Sequence, residues 1–212
     1  MGVEPSVSSD TARLETFADG VMAIAITLLI LEVRVPPVEG RPLTTALAAE
    51  WPSYAGYVVS FLTIGIIWVN HHQMFKLIAR VTHGFLMLNV IFLMTIAFLP
   101  FPTALVADYI RIPDSRTAAT VVYGVTMVAI AIMFNVVWRS ASRGGRLLVA
   151  GVDQAGIDRI SKSYLGGPIA YTVTTLIAFV NPFLSLGLFA AIALYWLLPS
   201  SGVQVGSTVE EG

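Results

Sequence analysis

The chain has 212 residues, of which 56% are apolar and 12% are charged, and its formal net charge is −1. A soluble globular domain carries about 25% charged residues, so the composition excludes an ordinary soluble domain, and its apolar content excludes a disordered chain. The small net charge offers no basic field for nucleic acid, and the chain has no cysteine for disulfides, thiolate nucleophiles or cysteine metal sites.

The charges are clustered and leave long uncharged segments between them. These segments are 51–75, 81–107, 117–138 and 163–209. Because a helix that crosses a bilayer needs about 20 apolar residues, the first three segments fit one helix each and the last fits two. With the apolar segment near the N-terminus, the sequence predicts an all-α polytopic membrane protein with six transmembrane helices.

In chain order, we expect a polar cytoplasmic tail at 1–10, a six-helix membrane domain at 11–198 and a disordered cytoplasmic tail at 199–212. The predicted helices cover 11–35, 44–75, 81–107, 117–139 and 163–198, and the last range is divided into two helices at Asn181-Pro182. Pro100 and Pro102 should kink or break the third helix near its end. Residues 140–162 are expected to form the longest polar connection.

Six crossings would place both termini on the same side of the membrane. On that side lie eight of the Lys and Arg residues, and the opposite loops carry four: Arg34, Arg41, Arg111 and Arg116. The positive-inside rule therefore predicts cytoplasmic termini. No internal repeat is visible, so a symmetric pathway would have to come from oligomerisation.

The first helix differs from an ordinary membrane-spanning helix. Between Asp19 and Glu32 there are only twelve uncharged residues, which span about 18 Å against a hydrocarbon core of about 30 Å. The segment is apolar all round, which is typical of a buried helix. We therefore expect this helix in the centre of a bundle rather than facing lipid.

One stripe of the first helix could line a pore. Ile24, Thr27, Leu28 and Leu31 fall within roughly 100° of arc. Symmetry copies of this stripe around an axis would form a hydrophobic constriction, with the Thr27 hydroxyl as an oxygen contact for a cation. Ordinary core packing, with Thr27 bonded to its own backbone, explains the same spacing, and the spacing alone favours it.

The start of this helix, Arg13-Leu14-Glu15-Thr16-Phe17-Ala18-Asp19, resembles the R-x-x-x-F-S-D signature of the transmembrane protein 175 family of potassium channels. The likeness continues through the apolar segment that follows and in Trp68-Val69-Asn70-His71-His72. Ala18 departs from the signature, where the family has serine.

The resemblance implies a prokaryotic member with one six-helix repeat that assembles as a homotetramer in the plasma membrane. It implies a non-enzymatic, weakly potassium-selective channel that conducts passively, with the first helices lining the pore. The constriction would then carry over to Ile24, Thr27, Leu28 and Leu31. No cofactor is implied, and the expected partners are lipid and monovalent cations.

The signature residues Arg13, Phe17 and Asp19 have separate expectations. Arg13 and Phe17 share a face, which allows a cation–π contact. Asp19 lies about 130° from the centre of the stripe and should point into its own bundle. Its expected partners are Trp68, His71 and Asn89. With His72, these residues are expected to form a supporting polar network. The sequence leaves two roles open for this network, gating of the channel and static support of helix packing.

Two other functions are compatible with the same residues. A secondary transporter would use Asp19 as a proton or sodium site, although such proteins usually show internal repeats and broken helices. A membrane enzyme would use His71, His72 and Asp19, but no substrate pocket or water-activating group is evident. Adjacent helical histidines point about 100° apart, so we expect no metal site.

Overall fold

The computed structural model describes residues 9–37, 40–152 and 154–197, and these residues form helices joined by short connections. The helices are α1 Ser9–Leu28, α2 Leu43–Ala49, α3 Trp51–Phe75, α4 His83–Ala97, α5 Pro100–Tyr109, α6 Arg116–Ser142, α7 Gln154–Ile177 and α8 Pro182–Leu197. A 3₁₀ turn, Leu29–Glu32, continues α1, and another, Arg143–Gly145, follows α6. The β pairing in the described ranges is one isolated bridge between Ile78 and Leu148.

The prediction of an all-α membrane protein is confirmed. Four helical segments in the described chain are long and apolar enough to cross a membrane: Ser9–Glu32, Trp51–Phe75, His83–Tyr109 and Arg116–Gly145. The helix Pro182–Leu197 is apolar but shorter. The count of six crossings therefore stays a prediction.

Prolines explain two differences from the predicted helices. The predicted helix at 44–75 is interrupted at Glu50, and α3 begins with Pro52 in its first turn. A proline there lacks only an N–H that the first turn cannot use. The predicted helix at 81–107 likewise ends at Ala97 and restarts at Pro100 as α5, which is the interruption that the prolines predict.

The remaining boundary errors lie at the ends of elements. The helix α1 ends at Leu28 and not near Val35, because the turn that follows it, Leu29–Glu32, is a 3₁₀ helix. The predicted loop at 140–162 is wrong in its second half, where α7 already begins at Gln154. Ile157 and Ile160 are buried there, so this charged turn is amphipathic. Of the two predicted tails, only Ser9 and Asp10 are described, and both are helical; residues 1–8 and 199–212 lie outside the described residues.

The helix α6 is the centre of the subunit. It packs against α4, α5, α7 and α8, while α1 packs on α3 and α4, and α8 packs on α3 and α7. The largest fully buried side chains include Trp138 on α6, Phe92 on α4 and Phe189 on α8. Close approach of α6 and α7 requires Gly124, since a Cβ there would clash with the side chain of Thr175.

A cross-helix hydrogen bond compensates for the proline inside α7. Pro168 has no N–H to donate to the carbonyl of Tyr164, four residues before it. The Asn135 side chain on α6 donates to that oxygen at 2.9 Å, and also to Ala131 O of its own helix at 2.9 Å. An unpaired carbonyl in a membrane interior costs several kcal/mol, so Asn135 joins α6 to α7 where α7 most needs a donor.

Substitution of Asn135 by Leu should destabilise the protein by about 1–3 kcal/mol, because the Tyr164 carbonyl loses its donor. The loss should be smaller in a Pro168→Ala background, where the restored N–H bonds that carbonyl. Heating followed by size-exclusion chromatography of the purified protein measures the effect. Thr126→Val is the control, since Thr126 on the same helix bonds only its own helix at Val122 O. Equal losses with and without Pro168 would contradict this role.

Candidate functional site

The helix α1 has one buried and one exposed face. Its buried side chains recur every three or four residues and pack toward α3 and α4: Thr11, Leu14, Ala18, Met22, Ala25 and, in the following turn, Leu29. Ala18 is fully buried, so a serine at this position of the signature would place its hydroxyl in the core.

The opposite face carries the predicted stripe. Ile24 is 61% exposed, Leu28 42% and Leu31 70%, and Thr27 is also exposed. The expectation that α1 is buried all round is therefore wrong within one chain. Burial on one side follows from packing on α3 and α4 alone, and nothing in the described subunit covers the other side.

Thr27 is bonded within its own helix. Its hydroxyl donates to Ile24 O at 2.8 Å. Ile24 lies three residues before Thr27, whereas the hydrogen bond expected for core packing would go to the carbonyl four residues before it. Because a hydroxyl oxygen keeps acceptor lone pairs after donating, the Thr27 oxygen can still face a cation on the exposed side.

Asp19 joins α1 to α3. Trp68 Nε1 donates to Asp19 Oδ1 at 2.9 Å, and Asp19 is half-buried. The carboxylate thus turns away from the exposed stripe and toward its own subunit. A hydrogen bond to a charged acceptor is stronger than one between neutral groups, so this contact orients α1 on α3.

A second polar contact lies one turn away and was not anticipated from the sequence. His72 Nδ1 lies 2.8 Å from Glu15 Oε1, and the His72 ring stacks on Trp68 at 6.2 Å between centroids. Glu15 and Asp19 are four apart on α1, and Trp68 and His72 are four apart on α3. This matched spacing is the signal in the sequence that could have identified Glu15.

His71 and Asn89 bond to each other rather than to Asp19, contrary to expectation. His71 Nε2 lies 3.5 Å from Asn89 Oδ1, and the Asn89 amide donates to Phe85 O at 2.9 Å. The His71 ring stacks on Phe75 and Phe92, with centroids 4.3 and 5.8 Å away. His71 is fully buried because it points into the α3–α4 contact, 100° away from His72.

Arg13 and Phe17 do not form the cation–π contact that their spacing allows. Both side chains are exposed, and the cation–π contacts in the described ranges involve Arg111 with Trp51 and Arg116 with Phe183. The exposed positions of Arg13 and Phe17 leave them on the surface of the subunit near the start of α1.

Apart from the Thr27 hydroxyl, the exposed stripe on α1 is apolar. The exposed stripe carries no titratable side chain between Asp19 and Glu32. Across the described ranges, no group of three or more His, Asp or Glu side chains is placed to hold a metal ion.

Together, the fold and the site define a helical membrane protein whose first helix has one uncovered apolar face. The chain belongs to the TMEM175 family of ion channels. The family model described as endosomal/lysosomal potassium channel TMEM175 matches residues 13–100 of the sequence. These residues include the signature on α1 and the polar residues of α3 and α4.

Relatives extend this likeness to nearly the whole chain. A potassium channel of Chamaesiphon minutus is 44% identical over 94% of this chain and 99% of its own length. A potassium channel of Streptomyces collinus is 44% identical over 89% of this chain and 92% of its own. The crystal structure of a lysosomal potassium-selective channel TMEM175 homolog from Chamaesiphon minutus has a TM-score of 0.83 and 41% identity, covering 92% of this chain and all of that one.

The human relative bears a different description. It is named an endosomal/lysosomal proton channel and is 33% identical over 52% of this chain. The match covers only 25% of the human protein.

Replacement of Trp68 by Phe should lower the stability of the protein by about 1 kcal/mol, because the Asp19 carboxylate loses its N–H donor while the ring remains. Adding Asp19→Asn should recover part of the loss, since a neutral amide is easier to leave unpaired. Thermal melting of the purified protein checks both changes. Trp196→Phe on α8 is the matched control, and equal melting of the two single variants would refute the role of the hydrogen bond.

Proposed function

We propose that the chain forms a homotetrameric channel that conducts potassium passively, with modest preference over sodium. The observation that carries the proposal is the exposed face of α1, formed by Ile24, Thr27, Leu28 and Leu31. The names of the relatives support an ion channel, and the face on α1 supplies a surface on which ions could pass.

The short uncharged part of α1 favours an axis rather than lipid as the environment of this face. It spans about 18 Å, so a lipid-facing α1 would bring Asp19 or Glu32 toward the hydrocarbon. Around a symmetry axis the same ends meet water at the two mouths of a pore. Four α1 helices with their stripes inward satisfy both the apolar middle and the charged ends.

The side chains of the stripe would act as the constriction. Rings of Ile24, Leu28 and Leu31 repel water, so an ion passes only when the pore is wide enough to remain wetted. Potassium holds its hydration shell less tightly than sodium, so partial dehydration favours potassium only mildly. Thr27 would supply one oxygen contact per subunit between these rings.

The Asp19–Trp68 and Glu15–His72 contacts would hold α1 at the angle that directs the stripe to the axis. In this proposal the polar cluster positions the pore helix and does not bind the ion. Asp19 turned toward Trp68 argues against its use as a transported-ion site.

The proposed channel lies in the plasma membrane of a prokaryote with both termini in the cytoplasm. Contacts of Arg34 with Asp108 and of Arg111 with Ala49 join connections on one side. The Ile78–Leu148 bridge joins two connections on the side rich in Lys and Arg, which the positive-inside rule assigns to the cytoplasm.

With the transported charge balanced by an ionophore, liposomes that contain the purified protein should take up potassium faster than sodium, and no coupled ion should be required. Parallel assays with a proton gradient test the ion named for the human relative. Proton flux without potassium flux would show that the permeant ion is the proton and not potassium. Absence of flux for all three ions, in protein that elutes as a folded oligomer, would contradict a passive channel.

The variants Ile24→Ala and Leu28→Ala should raise conductance and weaken the preference for potassium, because they widen the constriction. Single-channel recording with potassium and sodium on opposite sides measures both quantities. Ile26→Ala is the matched control, since it removes the same atoms about 200° around α1 from Ile24. Unchanged conductance and selectivity in the stripe variants would exclude this face as the narrowest part of the pathway.

Asp19→Asn separates the channel from a secondary transporter. A channel that uses Asp19 only for packing should keep potassium flux, because the amide still accepts from Trp68. A transporter that binds its coupling ion at Asp19 would lose flux while it assembles normally.

A further inference from the structure

We propose that a pocket between α3, α5, α6 and α8 binds an acyl chain of an anionic phospholipid, whose phosphate is held by Arg111 and Arg116. The pocket has a volume of about 280 Å³. It is formed by helices other than α1, so the proposal is independent of the proposed pore.

The wall of the pocket is apolar. Its lining includes Trp51, Val106, Tyr123, Phe183 and Phe189. The hydroxyl of Tyr123 is within 3.3 Å of Ser60 Oγ. A second lining hydroxyl, that of Thr103, is 2.8 Å from the same atom and bonds Leu99 O at 2.9 Å. Because these hydroxyls are already bonded, the pocket presents mainly carbon to an occupant.

The pocket runs inward from one surface of the membrane domain. The helices α3, α6 and α8 begin at this surface, and α5 ends there. Along α3, the lining extends from Trp51 to Val59, a depth of about 12 Å. Trp51 and Phe183 are exposed, so the pocket opens at the level where lipid headgroups meet their chains.

Two arginines stand at this opening. The Arg111 guanidinium lies 5.8 Å from the centre of the Trp51 ring, and the Arg116 guanidinium lies 5.8 Å from the centre of the Phe183 ring. Since both rings line the pocket, the two cations flank the point at which an acyl chain would leave it.

The arginines have donors to offer. The ion pairs of the described chain are Arg34 with Asp108 and His72 with Glu15, so neither Arg111 nor Arg116 is paired with a carboxylate there. Arg111 uses one group on Ala49 O, and a guanidinium carries five N–H donors.

The acidic residues on this surface offset its arginines, so local contacts determine whether an anion binds there. Asp108 is paired with Arg34, and Glu50 lies 3.5 Å from Ser53 Oγ. Asp114, the remaining acid of this loop, belongs to the same 108–116 connection. By sequence, Glu32 and Glu39 lie on the same side, so five acids face four arginines there and the formal charge of this side is −1. Attraction of an anion therefore depends on the two guanidinium groups at the pocket.

An anionic phospholipid fits both features better than a soluble ligand. Pockets for drug-sized molecules are about 300–1,000 Å³, so this one holds a segment of chain rather than a whole amphiphile. Guanidinium groups bind phosphate in a bidentate geometry. A zwitterionic lipid carries its own ammonium next to the phosphate, which weakens that attraction.

Native mass spectrometry of the purified protein tests the proposal with phosphatidylglycerol and phosphatidylcholine of identical acyl chains. Wild-type protein should retain phosphatidylglycerol preferentially. Arg111→Gln and Arg116→Gln should each reduce retention about fivefold. The control pair is Arg143→Gln and Arg146→Gln, which removes exposed arginines near the opposite end of α6.

A second variant tests the pocket itself. Gly187 on α8 lines the pocket, and a Cβ at this position meets no atom within 4 Å. Gly187→Leu should therefore fill the pocket without a backbone clash and abolish lipid retention while both arginines remain. Equal retention of the two lipids by wild type would overturn the proposal. So would wild-type retention in Gly187→Leu, or equal binding of glycerol phosphate, which would mean an anion site without a chain.

Discussion

Backbone hydrogen bonding without water is the constraint on which the rest of this structure depends. In a bilayer interior each free carbonyl costs several kcal/mol, so a chain with eleven prolines must place or compensate for every one within its helices. Pro52 and Pro100 stand at helix starts, where no N–H is needed. Pro168 lies inside α7, and there the Asn135 amide of α6 supplies the missing donor. The same contact fixes α7 against the central helix and thereby builds the wall on which α8 packs.

Packing on that framework explains why α1 has two unlike faces. Its core face meets α3 and α4 through small and medium side chains, among them the fully buried Ala18. The two polar pairs beside this face fix its rotation. The apolar residues that remain outside cannot be covered by α7 or α8, which pack on other sides of the subunit. Apolar side chains of other helices, such as Met94 on α4, Ile169 on α7 and Leu194 on α8, are exposed to a similar degree, so the short uncharged length of α1 and not its exposure alone distinguishes this face.

Helix type and approximate position could be predicted from the sequence, because clustered charges and long apolar segments are local signals. The break at Pro100 followed from the prolines in the sequence. Helical periodicity grouped the four residues of the stripe on one side of α1, but the spacing alone favoured core packing, so the exposure of the stripe was not predicted. The first turns of α7 could not be found that way, since their charges resemble a loop until Ile157 and Ile160 are seen to be buried. The side chains that contact each other across two helices were harder to predict. Trp68 lies against Asp19 as expected. The matched four-residue spacing could have identified the Glu15–His72 contact once that pair was placed, but the His71–Asn89 contact depends on the rotation of α3, which no local pattern sets.

The two polar pairs between α1 and α3 also limit how α1 can move. Carboxylates four residues apart face ring nitrogens four residues apart, so the two sets of groups repeat with the same spacing of one helical turn. A slide of α1 by four residues, about 6 Å, would bring one carboxylate to the other's ring and keep a contact. A smaller slide or a rotation would lose both contacts together. The two pairs therefore oppose both small displacements of α1 along α3 and turns of α1 about its own axis.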